Sequence, residues 1–400
     1  MNHLYKNISF FSTQESGIGW GFGVLLHRLR FCFIFALKSG RTVVLTNETI
    51  RVVNNQYDVK WNELFKTASK CSYTEHAKPF LPIKEFKEPG QTDRITFLKY
   101  NRELLTNGFD VAPMELKNFF LKEISNPILW FRGQLLKYIW RESEKTINMT
   151  NQIVSKIPFE CGPVVGIHVR RTDKYREAKL QKLEDYLKLV EFWFDVNERN
   201  YQNNHSISSK NCTNKRMLFV ASDTPVLKDV VKEVKNKVGN KYEIYHAKIF
   251  NKTQYFSKES FIEILAVYRI LAKCQFLVCT LSSHTCLMTY ELMHALQGDA
   301  SERLHSLDYL YSQFYLQNEK DSSMEITMEA TTEYKPKHDN PTELLAEKGD
   351  IIVVSGPVNQ DGIVQATNLR LNTRGKFPIY FLKKHTKFEN FPAFANINTR

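Results

Sequence analysis

The chain of 400 residues holds no apolar run long enough to cross a bilayer. Its most apolar stretch, Phe31 to Leu37, falls far short of the ~20 residues a spanning helix needs, and His27, Arg28 and Arg30 sit directly before it. The N-terminal Met-Asn-His-Leu-Tyr-Lys shows no continuous apolar segment of the signal-peptide kind. The reading is then either a cytosolic protein or one whose membrane anchor lies upstream of this chain. There is no low-complexity tract and no internal repeat, which excludes solenoids and disordered arrays. Seven cysteines occur without any CxxC-like pair, so structural zinc is not expected. Asp-X-Asp is missing altogether, leaving no evident ligands for a metal that bridges a diphosphate.

What is present is an ordinary globular composition with 42% hydrophobic residues, enough for two or three packed domains. Lys and Arg outnumber Asp and Glu by 55 to 43, and the net charge of +12 suits an anionic partner. The basic residues are scattered, the densest knot being Lys383, Lys384 and Lys387, so a nucleic-acid partner is not expected. Six Asn-X-Ser/Thr sequons, at Asn7, Asn47, Asn148, Asn204, Asn211 and Asn251, lean towards the secretory pathway. Cys279 and Cys286 are spaced to close a small loop, although buried free thiols account for the cysteines equally well.

Hydrophobic patterning gives the fold class. A glycine-punctuated turn, Gly17 to Gly23, leads into a helix-like stretch from Val24 to Leu37 and a short strand from Arg41 to Leu45. Those glycines could admit a phosphate to backbone N–H groups, but their spacing is not GxGxxG and a tight connection suffices. Asn126 to Ile157 reads as helix. Pro163 to Val169 is the clearest strand, apolar on both faces as a central parallel strand must be. Strands at Met217–Ala221, Tyr242–Tyr245 and Phe276–Thr280 follow, separated by helical stretches at Leu183–Glu198, Val226–Val238 and Phe261–Lys273, with Thr285–Gln297 closing the set. This alternation predicts an α/β, doubly wound parallel sheet.

At the carboxyl end of the central strand stands a burst of charge, Arg170-Arg171-Thr172-Asp173-Lys174. Ligands of open α/β sheets bind at that end, and arginine presents a planar fork that fits phosphate oxygens. The competing reading is a surface salt-bridge cluster, since Asp173 could pair with either arginine.

The run Gly166-Ile167-His168-Val169-Arg170-Arg171-Thr172-Asp173-Lys174 resembles the signature of the eukaryotic α-1,6-fucosyltransferases that place core fucose on N-glycans. Further segments fall in the order of that family: Gly19-Trp20-Gly21-Phe22-Gly23 with Leu26-His27, then Trp130-Phe131 with Gln134 and Lys137-Tyr138. So do Phe276 to Ser283, Tyr290-Glu291-Leu292-Met293 and His305-Ser306-Leu307-Asp308. Glu343-Leu344, Lys348 to Ile352 and Gly375 to Pro378 resemble an SH3 domain, as this family carries after its catalytic region. The Trp of peptide-binding SH3 domains is absent, Gln360 or Ile363 standing nearby, so a structural or acceptor-contacting module is expected rather than a polyproline binder.

The resemblance implies a GT-B-like catalytic region: an open α/β subdomain at 1–160 and a Rossmann-type subdomain for GDP-sugar at 161–317. A linker at 318–341 and an SH3-like small β-barrel at 342–390 complete the chain. It implies GDP-fucose as donor, the N-glycan of glycoproteins as acceptor, no cofactor or metal, and a Golgi or secretory-lumen location. Membrane association is expected only through an upstream anchor, and a homodimer is left open. Among residues, Glu177 matches the family's base, Lys174 its positioning partner, and Arg170 and Arg171 the diphosphate cluster. His168, Asp173, Ser283 and His284 match donor-binding positions. Tyr186, Asp223 and Asn359 match acceptor- or site-lining ones, and Cys279–Cys286 a family disulfide.

Departures from the family pattern are Thr224 for a second Asp, Val267 for an Asp that reads guanine (Glu263 lies one turn earlier), His284 for Gln and Asn359 for His. The loop from Lys174 to Glu177 is one residue short, and the cysteine that pairs with the Cys71 position is missing, leaving Cys32 and Cys71 unpaired or joined to each other. Two alternatives to an active transferase follow: a non-catalytic relative that only binds glycan or nucleotide, and, from another class, a basic SH3-bearing interaction protein.

Overall fold

The structure is a computed structural model. It describes residues 8–12, 22–47, 49–52, 57–69, 95–98, 111–172, 175, 178–204, 212, 214–223, 225–252, 257–308, 311, 325–336, 342–355 and 361–395. The expected site residues Asp173, Lys174, Glu177 and Asn359, with Cys71 and Thr224, lie outside the described residues.

In the first region, β1 (Ile8–Ser12), β2 (Thr42–Asn47) and β5 (Ile95–Leu98) form a parallel sheet in the order β2-β1-β5. A hairpin of β3 (Thr49–Val52) and β4 (Tyr57–Lys60) precedes a single helical turn, α2 (Trp61–Leu64). Between β1 and β2 runs α1 (Phe22–Ser39), which buries residues on every side from Phe22 to Ala36 save Val24. A helix apolar all round must be enclosed, and α1 is wedged between α4 (Pro127–Ile139) and α9 (His284–Gln297).

The stretch expected as one helix from Asn126 to Ile157 is two. It comprises α4, capped by Asn126 Oδ1 accepting from Leu129 N (3.1 Å), and α5 (Glu144–Val154), capped by Ser143. The break is held open by an outside partner, Ser143 N donating to Leu64 O at 2.8 Å. That competing bond, invisible in local periodicity, replaces the helical ladder.

The central sheet has five parallel strands: β7 (Val164–Val169), β8 (Arg216–Ser222), β9 (Tyr242–His246), β10 (Phe276–Cys279) and β11 (Leu304–Ser306). Their order is β11-β10-β7-β8-β9. The chain thus builds outward from β7 in one direction, then returns to add β10 and β11 on its other side. The reversal point lies between the carboxyl ends of β7 and β10, where an open α/β sheet has its crevice.

All six residues of β7 are buried. Val165, Ile167 and Val169 face a core with α6 (Leu183–Asn204) and α7 (Leu227–Val238), while Val164 joins the opposite core with α8 (Lys258–Lys273). Gly166, on the latter face, admits α8 closely: a Cβ there would sit 3.0 Å from Leu271 Cδ2 and 3.1 Å from Cys274 Sγ.

That second core also contains the side chains of α1, α4 and α5, so no core boundary separates the first region from the half built on the central sheet. At the α4–α9 crossing, a Cβ on Gly133 would lie 2.3 Å from Glu291 O, a distance only glycine permits.

The terminal unit is a five-stranded antiparallel sheet in which β15 (Thr373–Pro378) pairs with β14 (Ile363–Asn368), in the order β15-β14-β13-β12-β16, with its own core of Ile326, Met328, Leu344, Ile352, Val354, Val364 and Phe377. This is the SH3-like module, but it opens earlier than the sequence suggests. Strand β12 (Glu325–Ala330) falls inside the stretch expected as linker and pairs with both β13 (Ile351–Ser355) and β16 (Leu382–Lys384). Ile326, Met328 and Ala330 alternate inward along it, a period too short to stand out between polar flanks.

After the module the chain returns to the body. Lys387–Glu389 pairs in parallel with Val111–Pro113, Glu389 meets Lys38 of α1, and Phe391 is fully buried against Phe131.

Among the described residues there are two disulfides. Cys279–Cys286 is the expected one; Cys161–Cys212, across 51 positions, ties the turn before β7 to the loop before β8. Cys32 and Cys274 are buried free thiols.

Candidate active site

Three chain segments meet at the reversal point. The first is the loop after β7. Asp223, at the carboxyl end of β8, gathers the described start of this loop. Its Oδ1 pairs with Arg170, and its Oδ2 accepts from Arg171 N, Thr172 N and Thr172 Oγ1, each at 2.9 Å. Burial pushes the Asp223 carboxyl up, but Arg170 and the Thr172 N–H outweigh it, and the group is held below the usual carboxylate range. Asp223 is thereby ionised and nearly enclosed, and it holds Arg170 in place.

Arg171 points elsewhere: its guanidinium pairs with Glu233 of α7 at 2.6 Å, and that bond raises its pKa. Of the two arginines, Arg170 is the one held by the aspartate at the end of β8. Carboxylates from other elements thus pair with both arginines, Asp223 with Arg170 and Glu233 with Arg171, while Asp173 lies outside the described residues.

His168 is the fifth residue of β7. Burial lowers its pKa to about 4, with Asp223 opposing and Arg170 adding to the shift, so it is neutral at pH 7. Its Nδ1 is buried and has no protein partner among the described residues. An orphaned ring nitrogen at a strand end fits a polar group of a ligand.

The second segment follows β10. Thr280 to Ser283 turn into α9, with Ser283 as N-cap and no side-chain cap bond, a helix start of the kind that suits an anion. Asp308 fixes this turn. Ser282 Oγ bonds to it, Ser306 Oγ donates to its Oδ1 at 3.0 Å, and Ser306 Oγ also accepts from Leu281 N at 3.1 Å.

The third segment is the start of α1. Gly23 packs on the first turn of α9, where a Cβ would lie 2.8 Å from Tyr268 Oη and 3.0 Å from His284 Cβ. Tyr268 Oη reaches Thr285 Oγ1 at 3.4 Å and feels the charge of Arg170, which links the first segment to the second. The glycine run therefore serves close packing at Gly23; its earlier members lie outside the described residues.

Other expected residues fare differently. Ser283 and His284, expected in donor binding, stand where the turn after β10 enters α9. Tyr186 is 1% exposed and belongs to the core beneath β7, where burial pushes its hydroxyl pKa up, so it supports the site from behind. Val267 is packed among apolar side chains of both cores, and Glu263 is engaged by Lys248 N at 2.7 Å. Tyr268, Asp308 and Glu233 went unnoticed as site residues in the sequence, because each acts through a partner distant in the chain.

Over residues 17–312 the chain matches the family described as alpha-(1,6)-fucosyltransferase N- and catalytic domains. It is similar to the alpha-(1,6)-fucosyltransferase of Caenorhabditis elegans, 29% identical over 90% of this chain and 61% of that protein. The enzyme of the same name from Drosophila melanogaster is 28% identical over 95% and 57%. The chain thus spans about 60% of the length of these curated relatives. Among solved structures, POFUT1 in complex with GDP is 14% identical, with a TM-score of 0.42 over 76% of this chain and 98% of that one.

Proposed function

The chain belongs to the alpha-(1,6)-fucosyltransferase family, and we propose that it moves fucose from GDP-fucose to the 6-hydroxyl of the core GlcNAc of an N-glycan. The observation that carries this reading is Arg170, clamped by ionised Asp223 at the reversal point of the sheet, beside the uncapped N-terminus of α9.

In this reading the acceptor oxygen attacks the fucose carbon from the face opposite the diphosphate. The bond from that carbon to the β-phosphate oxygen breaks as the new glycosidic bond forms, which inverts the configuration. Glu177 takes the acceptor proton, with Lys174 positioning it. Arg170 and the N–H groups after Ser283 receive the negative charge that grows on departing GDP. The arginine fork supplies what a metal ion supplies in other diphosphate sites, so activity is expected to survive chelation. His168 neutral and open at Nδ1 suits the guanosine end. The same reading places the protein in the Golgi lumen, acting on glycoproteins, with a homodimer as the assembly to look for.

The test is transfer of labelled fucose from GDP-fucose to an N-glycan with an exposed GlcNAc arm, in EDTA, followed by linkage analysis. Product linked 1→6 supports the proposal; no product, or product lost in EDTA, counts against it. A second reading, a relative that binds the donor without turnover, is favoured by apolar Val267 at the position where the family's guanine-reading Asp is expected. It predicts GDP binding with no transfer.

A further inference from the structure

The buried interior behind the site contains a polar chain that the proposed chemistry does not use. Glu291 of α9 is fully buried. It pairs with Arg30 of α1 and accepts from Tyr311 Oη at 2.6 Å, and Tyr311 Oη in turn is met by Arg132 Nη1 at 3.3 Å. The other arm of Arg30, Nη2, lies 3.3 Å from Nδ1 of His27, one turn earlier on the same face of α1.

A guanidinium has donors only, so Nδ1 of His27 is the bare nitrogen and its proton sits on Nε2. The groups that face His27 from α1, α4 and α9 are Arg30, His284, Arg132 and Arg28; burial first, and these charges next, hold its pKa well below the ordinary value. His27 is thus a neutral ring in one tautomer. It meets His284, the first residue of α9, at 5.3 Å between ring centroids and an interplanar angle of 84°. Gly23 beside it brings the two backbones close enough for this contact.

We infer that His27 is a positioning residue. Glu291 and Arg30 fix its orientation, and its ring fixes that of His284 at the anion-binding end of α9. This inference rests on the donor-site reading above, since His284 is the residue through which it acts. An edge-to-face ring pair couples at about two- to tenfold in an equilibrium constant, which sets the size of the expected effect.

The test is a double-mutant cycle on the whole chain, read by calorimetric titration with GDP. His27→Asn keeps an acceptor for Arg30 but removes the ring, and is expected to weaken GDP binding about fivefold. His27→Phe restores the ring edge and is expected to recover more than half of that loss. In a His284→Ala background, His27→Asn should cost less than about twofold. If it costs the same in both backgrounds, or lowers only Tm while GDP affinity is unchanged, the inference is overturned. Wild-type protein that binds no GDP overturns the donor-site reading and this inference with it; wild-type binding beside an unaffected His27→Asn overturns the inference alone.

Discussion

The two walls of the crevice achieve the same end by different means. On the β7 side the charge comes from a side chain, Arg170, and on the β10 side from the backbone of a helix start. Each wall is fixed by a buried aspartate brought from the next strand along: Asp223 gathers the loop after β7, and Asp308 gathers the turn after β10. A mobile arginine would lose ordering entropy each time an anion arrived, whereas a clamped one has already lost it. A helix start needs less holding, because its N–H groups are directed by the helix itself. The strand wall should therefore depend on its aspartate more than the helix wall does.

The largest effect is expected at Asp223. Asp223→Asn takes away the anion that Asp223 supplies to Arg170 and removes a charged acceptor from two backbone N–H groups, each such bond being worth about 1.5–3 kcal/mol. Steady-state transfer assays should show kcat down by about 100-fold or more. Asp308→Asn, which keeps the shape of its serine contacts, should cost only about tenfold in the same assay. Equal losses at the two positions would break the comparison.

Next comes Gly133→Ala. Its new Cβ would collide with the backbone O of Glu291 and push α4 off α9, with an expected loss of roughly 3 kcal/mol in a denaturant titration. Because α9 forms the helix wall, GDP affinity should fall with stability. An unchanged denaturation midpoint would mean that the two helices are less tightly apposed than described.

Acidification gives a smaller, graded effect on both walls. His168 on the strand side and His294 on the helix side are each held near a pKa of about 4, against 6.5 when unfolded. Between those values the unfolded chain binds protons that the folded one refuses. Stability is then complete above pH 6.5 and drains as pH falls towards 4, by about 2 kcal/mol per histidine at pH 5. Thermal melts from pH 7 to 4.5 should show a monotonic fall; a Tm that rises on acidification would contradict the assignment.

Much of this was legible in the sequence, for physical reasons that can be named. A strand buried on both faces must be apolar throughout, so β7 declared itself, and charge directly after it could only stand at the carboxyl end of the sheet. What stayed hidden depends on distant partners. Asp223 ends a strand in the sequence, but only the pairing of β8 beside β7 turns it into a clamp. Cys161 and Cys212 carry no local signal of their bond, and Ser143 none of its contact with Leu64. Strand β12 was lost in a polar stretch because its partners come from the other side of a long loop.

The most direct test of the clamped-arginine account is calorimetric titration of GDP into the wild-type protein and Arg170→Ala in parallel. The account predicts binding by the wild type and at least about a 30-fold loss in the variant, with Tm little changed. Equal affinity in the two proteins would contradict it, and would move the anion site away from the reversal point of the sheet.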